Sequence, residues 1–469
     1  MPSRRLVPVL VYVGMVSSVV SSLGAPLVPT IARDTHVSLA SAQWSLTISL
    51  LVGAVATPTL GRLGDGRHRR PAVLGALAAV AVGCVLAAVP GPFSLLLVGR
   101  GLMGMGLSLI PLTMVVARDA LDGEHRTRIV GVLSVTAVAG IGLGYPLTGV
   151  IAEQFSFRAG FWFGAVVTTV ALALAWVTVP SVADRPAVRL DWIGGLLLAA
   201  GVAGVLLALG QSEVWPSSVV LDLVAASMAV LAVWLWHELR TANPLVDLRL
   251  VKDRTVLTAD LTGLLAGVGM YALMSIIIRF AQTPRSAGYG FGSSIVVSGL
   301  LLLPLWLMSA ACIRIAPLLA ERFGQRAVLP IGCGLFVAAN VLFATDRSSA
   351  WTVVVVMALA GLGIGCTFAA LPALIVGNVP AHETGSAMSF NQVLRYIGYS
   401  TGSALSATVL QAHTPTGQLL PEAGGYTTVA LLGVVVLVVA GIVSAVAPGR
   451  PTVPDQELAE LDRIPATVD

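Results

Sequence analysis

Long apolar stretches separated by short polar segments run along the whole chain. Each stretch covers about twenty residues, the length that a helix needs to cross roughly 30 Å of hydrocarbon. The stretches are continuous in Leu, Val, Ala and Gly, so they favour helices over the short alternating strands of a membrane barrel. Because lipid offers the backbone no hydrogen-bonding partners, we predict an all-α integral membrane protein.

Glycines, prolines and charged residues divide the stretches into about fourteen predicted spans. The apolar run after Met1–Arg5 is longer than the core of a signal peptide, so it is interpreted as the first span. The connecting segments are short, and none has the length of a soluble catalytic domain. The predicted spans cover approximately residues 6–28, 42–60, 72–90, 93–116, 129–151, 160–180, 192–210, 218–236, 256–279, 291–313, 327–344, 351–372, 386–409 and 426–447.

The composition supports a membrane protein, and the distribution of basic residues predicts its orientation in the membrane. Hydrophobic residues make up 56% of the chain and charged residues 11%, whereas soluble domains carry roughly 25% charged residues. Most of the 27 Lys and Arg residues fall on one side of the predicted bundle, with Arg279 and Arg285 as exceptions. Basic residues are retained in the cytoplasm, so both termini are predicted to be cytoplasmic. The net charge of +4 therefore reflects orientation in the membrane and does not indicate nucleic-acid binding.

Two charged turns indicate an internal duplication. The segment Gly61–Arg70 reads GRLGDGRHRR, and the segment Pro317–Arg326 reads PLLAERFGQR. Related halves of this kind are common in transporters. An ungapped alignment pairs Leu63 with Leu319, Asp65 with Glu321 and Arg70 with Arg326.

With these residues the chain resembles the fourteen-span drug:proton antiporters of the major facilitator superfamily, over nearly its whole length. Three motifs carry the resemblance: the charged turn, a fourth-span motif with an intramembrane arginine, and a glycine-rich antiporter motif in the fifth span. Asp191-Trp192 and Asn243-Pro244-Leu245 resemble features of the fourteen-span branch. The matching positions are Gly61, Leu63, Asp65, Arg69 and Arg70 in the first motif, Leu96, Arg100, Gly104 and Gly106 in the second, and Gly131, Gly140, Gly144, Pro146 and Gly149 in the third.

The resemblance implies a secondary active transporter that exports small amphipathic drug-like or natural-product molecules by alternating access, coupled to proton influx. A proton-coupled importer of a small metabolite is the alternative. The expected protein is a monomer in the bacterial inner membrane, with small molecules, protons and the lipid bilayer as partners and no cofactor. The implied architecture has two pseudo-symmetric six-helix bundles at residues 1–180 and 254–447, two extra central transmembrane helices with a cytoplasmic loop at 181–253, and a cytoplasmic tail at 448–469.

The charged turns are predicted to gate the carrier by stabilising one conformation, a role that the resemblance implies. Asp65 lies four residues before Arg69, a spacing at which a carboxylate and a guanidinium can pair on a helix. A plain basic cluster that only fixes topology is the alternative. The predicted gating residues are Gly61, Asp65, Arg69, Arg70, Glu321, Arg322 and Arg326.

Arg100 and Asp260 are the candidates for proton coupling. A charge inside a span costs at least about 2.5–3.5 kcal/mol, so Arg100 is expected to face the interior and find a partner. Reaching out to the interface is the alternative for Arg100. Val20 occupies the place of an acid that the family carries in its first span. Asp260, about one turn into the ninth span, is the predicted replacement, and a helix-capping role is its alternative.

Cargo is expected to follow a mainly apolar path with a few polar groups. Helical steps from Asp260 lead to Gly263, Gly267, Met270 and Met274, which form one face. Three polar residues share the thirteenth predicted span: Asn391, Gln392 and Arg395. They are predicted either to bind cargo or to join a structural network. The candidates for cargo contact are Ser18, Ser22, Met270, Met274, Asn391, Gln392 and Arg395.

The glycine series of the fifth span predicts a helix that packs closely and bends. Gly140, Gly144 and Gly149 leave room for a neighbouring backbone, and Pro146 removes one helical hydrogen bond. Such a helix suits an interface that moves during transport, and ordinary helix packing is the alternative.

Reactive and metal-binding patterns point away from an enzyme. The six histidines are scattered without the H-x-x-x-H spacing of a metal helix, and no P-loop is present. Cys84, Cys312, Cys333 and Cys366 fall inside apolar runs, so we predict buried packing residues without a metal. The sequence therefore predicts neither enzymatic activity nor ATP as the energy source.

Overall fold

The computed structural model folds into α-helices joined by short turns in the part of the chain that it describes. Helices suit a chain this apolar, because each helix satisfies its own backbone hydrogen bonds where lipid offers no partners. The described residues are 3–23, 27–37, 39–121, 123–181, 190–210, 215–241, 244–245, 253–324, 327–380, 383–415 and 420–446.

The helices follow the predicted order of spans. The first group is α1 (Ser3–Ser22), α2 (Val28–Asp34), α3 (Leu39–Asp65), α4 (Arg69–Ala88), α5 (Phe93–Gly104), α6 (Leu109–Ala120), α7 (Gly123–Gln154) and α8 (Phe157–Thr178). A hairpin of α9 (Trp192–Gly210) and α10 (Ser217–Arg240) comes next. The last group is α11 (Arg254–Gln282), α12 (Ile295–Leu300), α13 (Leu303–Phe323), α14 (Val328–Thr345), α15 (Ala350–Asn378), α16 (Thr384–Ala412) and α17 (Ala423–Val446).

Twelve helical stretches among the described residues are long and apolar enough to cross a membrane. They confirm a multi-pass helical membrane protein. The other two predicted spans fall on α7 and α16, which are 32 and 29 residues long but are not among the twelve. The count of fourteen spans therefore stays a prediction.

Several predicted boundaries are wrong by five residues or more, among them the ends of the first and the tenth span. The first span was expected to reach residue 28, whereas α1 ends at Ser22. The tenth was expected to end at residue 313, but α13 continues to Phe323, so the charge of Arg314 does not end it. Gly324 follows the last residue of the helix, and its φ of 86° is a conformation that other residues rarely adopt.

The helix pairings of the first group recur in the last. In the first group α1 packs on α7, and α4 packs on both α5 and α8. In the last group α11 packs on α16, and α14 packs on both α15 and α17. The two groups meet along two seams, one where α3 contacts α16 and one where α7 contacts α13 and α15.

The α9–α10 hairpin lies across the α3–α16 seam. A separate apolar cluster joins Ala54 of α3 and Val393 of α16 to Leu198 of α9 and Trp234 of α10. Next to this cluster, the Ser386 hydroxyl of α16 donates to the carbonyl oxygen of Leu245 at 2.8 Å. The hairpin thus contacts both groups of helices at once.

All four cysteines are buried and free, as the sequence predicts. The Sγ atoms of Cys312 and Cys366 lie 3.6 Å apart, at the contact between α13 and α15. Their surroundings are those of packing residues in a helical core.

Candidate functional site

A buried carboxylate of α3 joins the start of α16 at the arginine-rich end, where α3 and α13 end and α4, α7 and α16 begin. Asp65, only 3% exposed, accepts hydrogen bonds from the backbone N–H groups of Gly385 at 2.7 Å and Ser386 at 3.0 Å. A negative charge is stabilised there, because free N–H groups and the helix dipole make the first turn of a helix positive. The carboxylate therefore ties α3 to α16.

Further contacts close the same seam. Arg62 Nη1 forms an ion pair with Glu383 Oε2 at 2.5 Å. Gly61 and Gly385 face each other so closely that a Cβ on Gly385 would overlap the Gly61 carbonyl oxygen. Glycine at both positions thus permits the backbones to approach.

The expected i,i+4 geometry of Asp65 and Arg69 is wrong, because Asp65 ends α3 and Arg69 begins α4. Arg69 is buried, forms an ion pair with Asp119 and donates from Nε to the Gly64 carbonyl oxygen at 2.8 Å. Arg70 donates to the Trp176 carbonyl oxygen at 2.7 Å. The first charged turn is thus held by tertiary contacts.

The second charged turn differs from the first. Glu321 and Arg322 lie on the last turn of α13 and are exposed. Arg326 lies outside the described residues. The two turns are therefore related in sequence but unequal in their surroundings.

Arg100 faces the interior, as expected, and the alternative of reaching out to the interface is wrong because the residue is 0% exposed. Its Nε donates to the Ser45 carbonyl oxygen at 2.9 Å and its Nη1 to that of Leu23 at 2.6 Å. Among the described residues it forms no ion pair, and Nη2 is buried without a hydrogen-bond partner. Arg100 therefore links α5 to α3 and to the end of α1 through backbone carbonyls.

Asp260 lies in the interior of α11 and is 3% exposed. Its Oδ1 accepts a hydrogen bond from Asn391 Nδ2 at 3.0 Å. The capping role is taken by Asp253, whose carboxylate accepts from the N–H of Thr255 at 2.7 Å. The capping alternative for Asp260 is therefore wrong.

The polar residues predicted on α16 lie near this acid, and Asn391 is the one that bonds it. Arg395 is buried, donates to Gln392 Oε1 and stacks 4.8 Å from the Phe368 ring of α15. A Cβ on Gly263 would lie 3.1 Å from Asn391 Nδ2 and 3.4 Å from Arg395 Cγ. The structure thus brings together two sets of residues that the sequence predicts separately. We refer to Asp260, Asn391, Gln392 and Arg395 as the polar cluster.

Sequence reasoning missed two tyrosines beside the polar cluster. Tyr399 stacks on Tyr271 of α11, with ring centroids 4.5 Å apart. The hydroxyl of Tyr396 is buried without a hydrogen-bond partner among the described residues. Asn391, Arg395 and Tyr399 recur every four residues, and this helical spacing is the signal that places Tyr399 on the same face.

The other predicted cargo residues lie in helix contacts. Ser18 and Ser22 bond to carbonyl oxygens of their own helix, and they face Gly140 and Gly144 of α7. These are the contacts of ordinary packing. Pro146 and Gly149 also lie in α7, but their side chains fall outside what the structure describes.

The predicted small face of α11 is covered by α16. Met270 and Met274 are buried, and a Cβ on Gly267 would lie 3.2 Å from the Tyr399 ring. Gly398 and Gly402 in turn lie against the α11 backbone. In this conformation the face borders a helix contact, not an open cavity.

Gly402→Ala is expected to destabilise the protein by roughly 1–3 kcal/mol, since overpacked helices must separate. The added Cβ would overlap the Val268 carbonyl oxygen and would lie 3.0 Å from the Ala272 nitrogen. Thermal unfolding of the purified protein measures the effect. The control is Gly334→Ala in α14, where nothing lies within 4 Å, so its stability should be equal or slightly higher. Equal melting temperatures of both variants would contradict the close contact.

Helices that carry buried charged and amide side chains through apolar spans define a polytopic membrane transport protein. A family model described as Major Facilitator Superfamily matches residues 10–403, with a second match at 261–468. The chain belongs to the major facilitator superfamily. That family consists of transporters and not of enzymes.

Several relatives are similar over most of the chain. An uncharacterized MFS-type transporter of Mycobacterium tuberculosis is 25% identical over 86% of the chain, which spans 59% of that relative's length. Multidrug resistance protein Stp of the same organism is 26% identical over 82% of the chain and 71% of its own length. The crystal structure of the human organic anion transporter MFSD10 (TETRAN) aligns with a TM-score of 0.68 at 16% identity, covering 95% of this chain and 100% of that one. This last likeness concerns the fold alone.

Proposed function

We propose that the protein exports small amphipathic molecules across the bacterial inner membrane by alternating access, driven by proton influx. The observation that carries the proposal is the polar cluster, in which a buried intramembrane acid bonds an amide beside a buried arginine. Intramembrane acids of this kind mark ion pathways and proton relays. The names of two relatives as multidrug resistance proteins support export of drug-like cargo.

The proposed architecture keeps the predicted domains. Residues 1–180 and 254–447 form two related bundles, residues 181–253 add two helices between them, and 448–469 form a tail. The recurrence of helix pairings supports the two bundles. Adding α7 and α16 to the twelve apolar stretches gives fourteen spans with both termini in the cytoplasm, and the arginine-rich end then faces the cytoplasm.

The contacts of Asp65 with α16 form the proposed cytoplasmic gate. They hold α3 against α16, so the carrier must break them to open this seam towards the cytoplasm. Because they involve a charged acceptor at a helix N-terminus, they stabilise the closed state without touching cargo. Arg100 keeps α1, α3 and α5 together as a unit while the gate moves.

Asp260 is the proposed proton-binding residue. Burial favours the neutral carboxylic acid, and water reaching the site favours the carboxylate. On protonation the carboxyl group loses the charge that strengthens its hydrogen bond with Asn391, and this change reaches Arg395, one helical turn along α16, which binds cargo together with Gln392. Alternation of water access between the two sides would then couple proton entry to cargo exit.

Transport into inside-out vesicles with an imposed proton gradient tests the proposal. Fluorescent amphipathic compounds should accumulate in vesicles that contain the protein, and a protonophore should abolish the accumulation. Vesicles without the protein give the passive level. Accumulation that survives the protonophore would remove proton coupling, and uptake in the opposite direction would support the importer instead.

A further inference from the structure

A cavity outside the polar cluster opens on the α7–α13 seam, at the arginine-rich end. Its volume is about 840 Å³, which is within the range of small-molecule sites. Helices α7, α13 and α15 enclose it, so both bundles contribute to its walls. The lining residues at its core are small, which explains the space: Gly131, Ala316, Ala320, Ala369, Ala370 and Ala373.

Two arginines from opposite bundles line this cavity. Arg128 belongs to α7 and Arg314 to α13, and both are exposed. Within the described part of the chain, neither guanidinium has a hydrogen bond or an ion pair. Arg314 lies nine residues before the end of α13, a depth of roughly 13 Å along the helix. An arginine at such depth is tolerated in a membrane where it faces a water-filled cavity, and two unpaired guanidinium groups there suit an anionic ligand.

The charge of the cavity is unbalanced. Among the lining residues, Glu321 in the last turn of α13 is the one acid, whereas Arg128 and Arg314 supply two guanidinium groups. The mouth also has an apolar side, because Leu318 is 61% exposed beside it. A ligand that fits both surfaces has an anionic head and an apolar body.

The cavity adjoins the polar cluster across a single helix. On one face of α15, Phe368 stacks on Arg395; the next two residues, Ala369 and Ala370, line the cavity. A shift of α15 on filling the cavity would therefore be transmitted directly to Arg395.

We propose that this cavity admits cargo from the membrane and selects amphipaths with an anionic head group, through Arg128 and Arg314. The inference rests on the proposed transport function and names its substrate class. The absence of the first-span acid agrees with it, since Val20 presents no carboxylate for a cationic cargo.

Binding to purified protein in phosphatidylcholine nanodiscs tests this inference without a proton gradient. The probes are dansylaminoundecanoate and its cationic match, dansylaminoundecyl trimethylammonium, followed by dansyl fluorescence. The wild type should prefer the anion, and Arg128→Gln and Arg314→Gln should each weaken its binding by roughly tenfold, the usual loss for a charged hydrogen bond. Arg254→Gln, an exposed arginine at the same end, is the matched control and should change nothing.

A charge reversal makes the test sharper. The double variant Arg128→Glu with Arg314→Glu should invert the preference and bind the cationic probe.

Equal affinity of the wild type for both probes, or anion binding that both Gln variants retain, would overturn the inference. Release of the anionic probe by added phosphatidylglycerol would overturn it as well, because the cavity would then be a lipid site. Probe binding that persists while vesicles show no proton-driven export would refute the proposed function alone.

Discussion

Asp260→Asn is expected to abolish proton-driven export while downhill exchange of cargo continues. The asparagine keeps the shape of the residue and an oxygen that accepts from Asn391, but it cannot bind and release a proton. One pH unit supplies about 1.4 kcal/mol per proton, which supports roughly tenfold accumulation. In the variant the accumulation ratio should fall to one at every imposed gradient.

The matched control is Asp222→Asn, which removes an exposed acid from α10 and should leave accumulation unchanged. Counterflow of labelled against unlabelled cargo, without a gradient, shows whether the variant still binds and moves its cargo. Full gradient-driven accumulation in the Asp260 variant would place proton coupling at another residue. Loss of counterflow together with accumulation would mean that Asp260 serves binding or folding instead.

Asp65→Asn is expected to slow turnover by roughly tenfold or more and to leave cargo affinity nearly unchanged. Hydrogen bonds to a charged group are each worth about 1.5–3 kcal/mol, and Asp65 makes two of them to the start of α16. An amide offers a single neutral oxygen, and its NH₂ group would face a backbone N–H. The closed state of the seam therefore loses population, and every cycle passes through that state.

Initial transport rates and equilibrium binding separate the two effects. A distance measurement between labels on α3 and α16 reports closure directly, and it should shift towards longer distances. Asp34→Asn, at an exposed acid outside the gate, is the control for a lost carboxylate. An affinity that collapses while bound cargo still turns over normally would exclude a gating role for Asp65.

Hydropathy predicted where most helices lie because the membrane leaves the backbone few alternatives. It misplaced the end of α13, since the charge of Arg314 was taken to end the tenth span at residue 313 although the helix continues to Phe323. The four-residue spacing at the charged turn predicted that Asp65 and Arg69 share a helix, whereas Arg69 begins the next helix and forms an ion pair with Asp119 of α6. Periodicity gives the face of a helix, but the partner across that face depends on tertiary packing.

The polar cluster illustrates the same limit. Asp260 and Asn391 each stand out as polar residues in apolar spans, yet their contact joins residues 131 positions apart. Neither segment alone predicts that contact. The cavity on the α7–α13 seam is harder still to predict, because it is formed by small residues whose sequence pattern is that of ordinary packing.

The α9–α10 hairpin gives the molecule two unlike flanks. It contacts α3 and α16 together, through the cluster around Trp234 and through Leu245, so opening of the α3–α16 seam must also disturb the packing of the hairpin. The opposite flank, between α7 and α13, is not covered by this hairpin in the described part of the chain. An amphipath that enters from the membrane at the α7–α13 seam, as we propose, would therefore meet no hairpin there, and the side chains that line the cavity would select it.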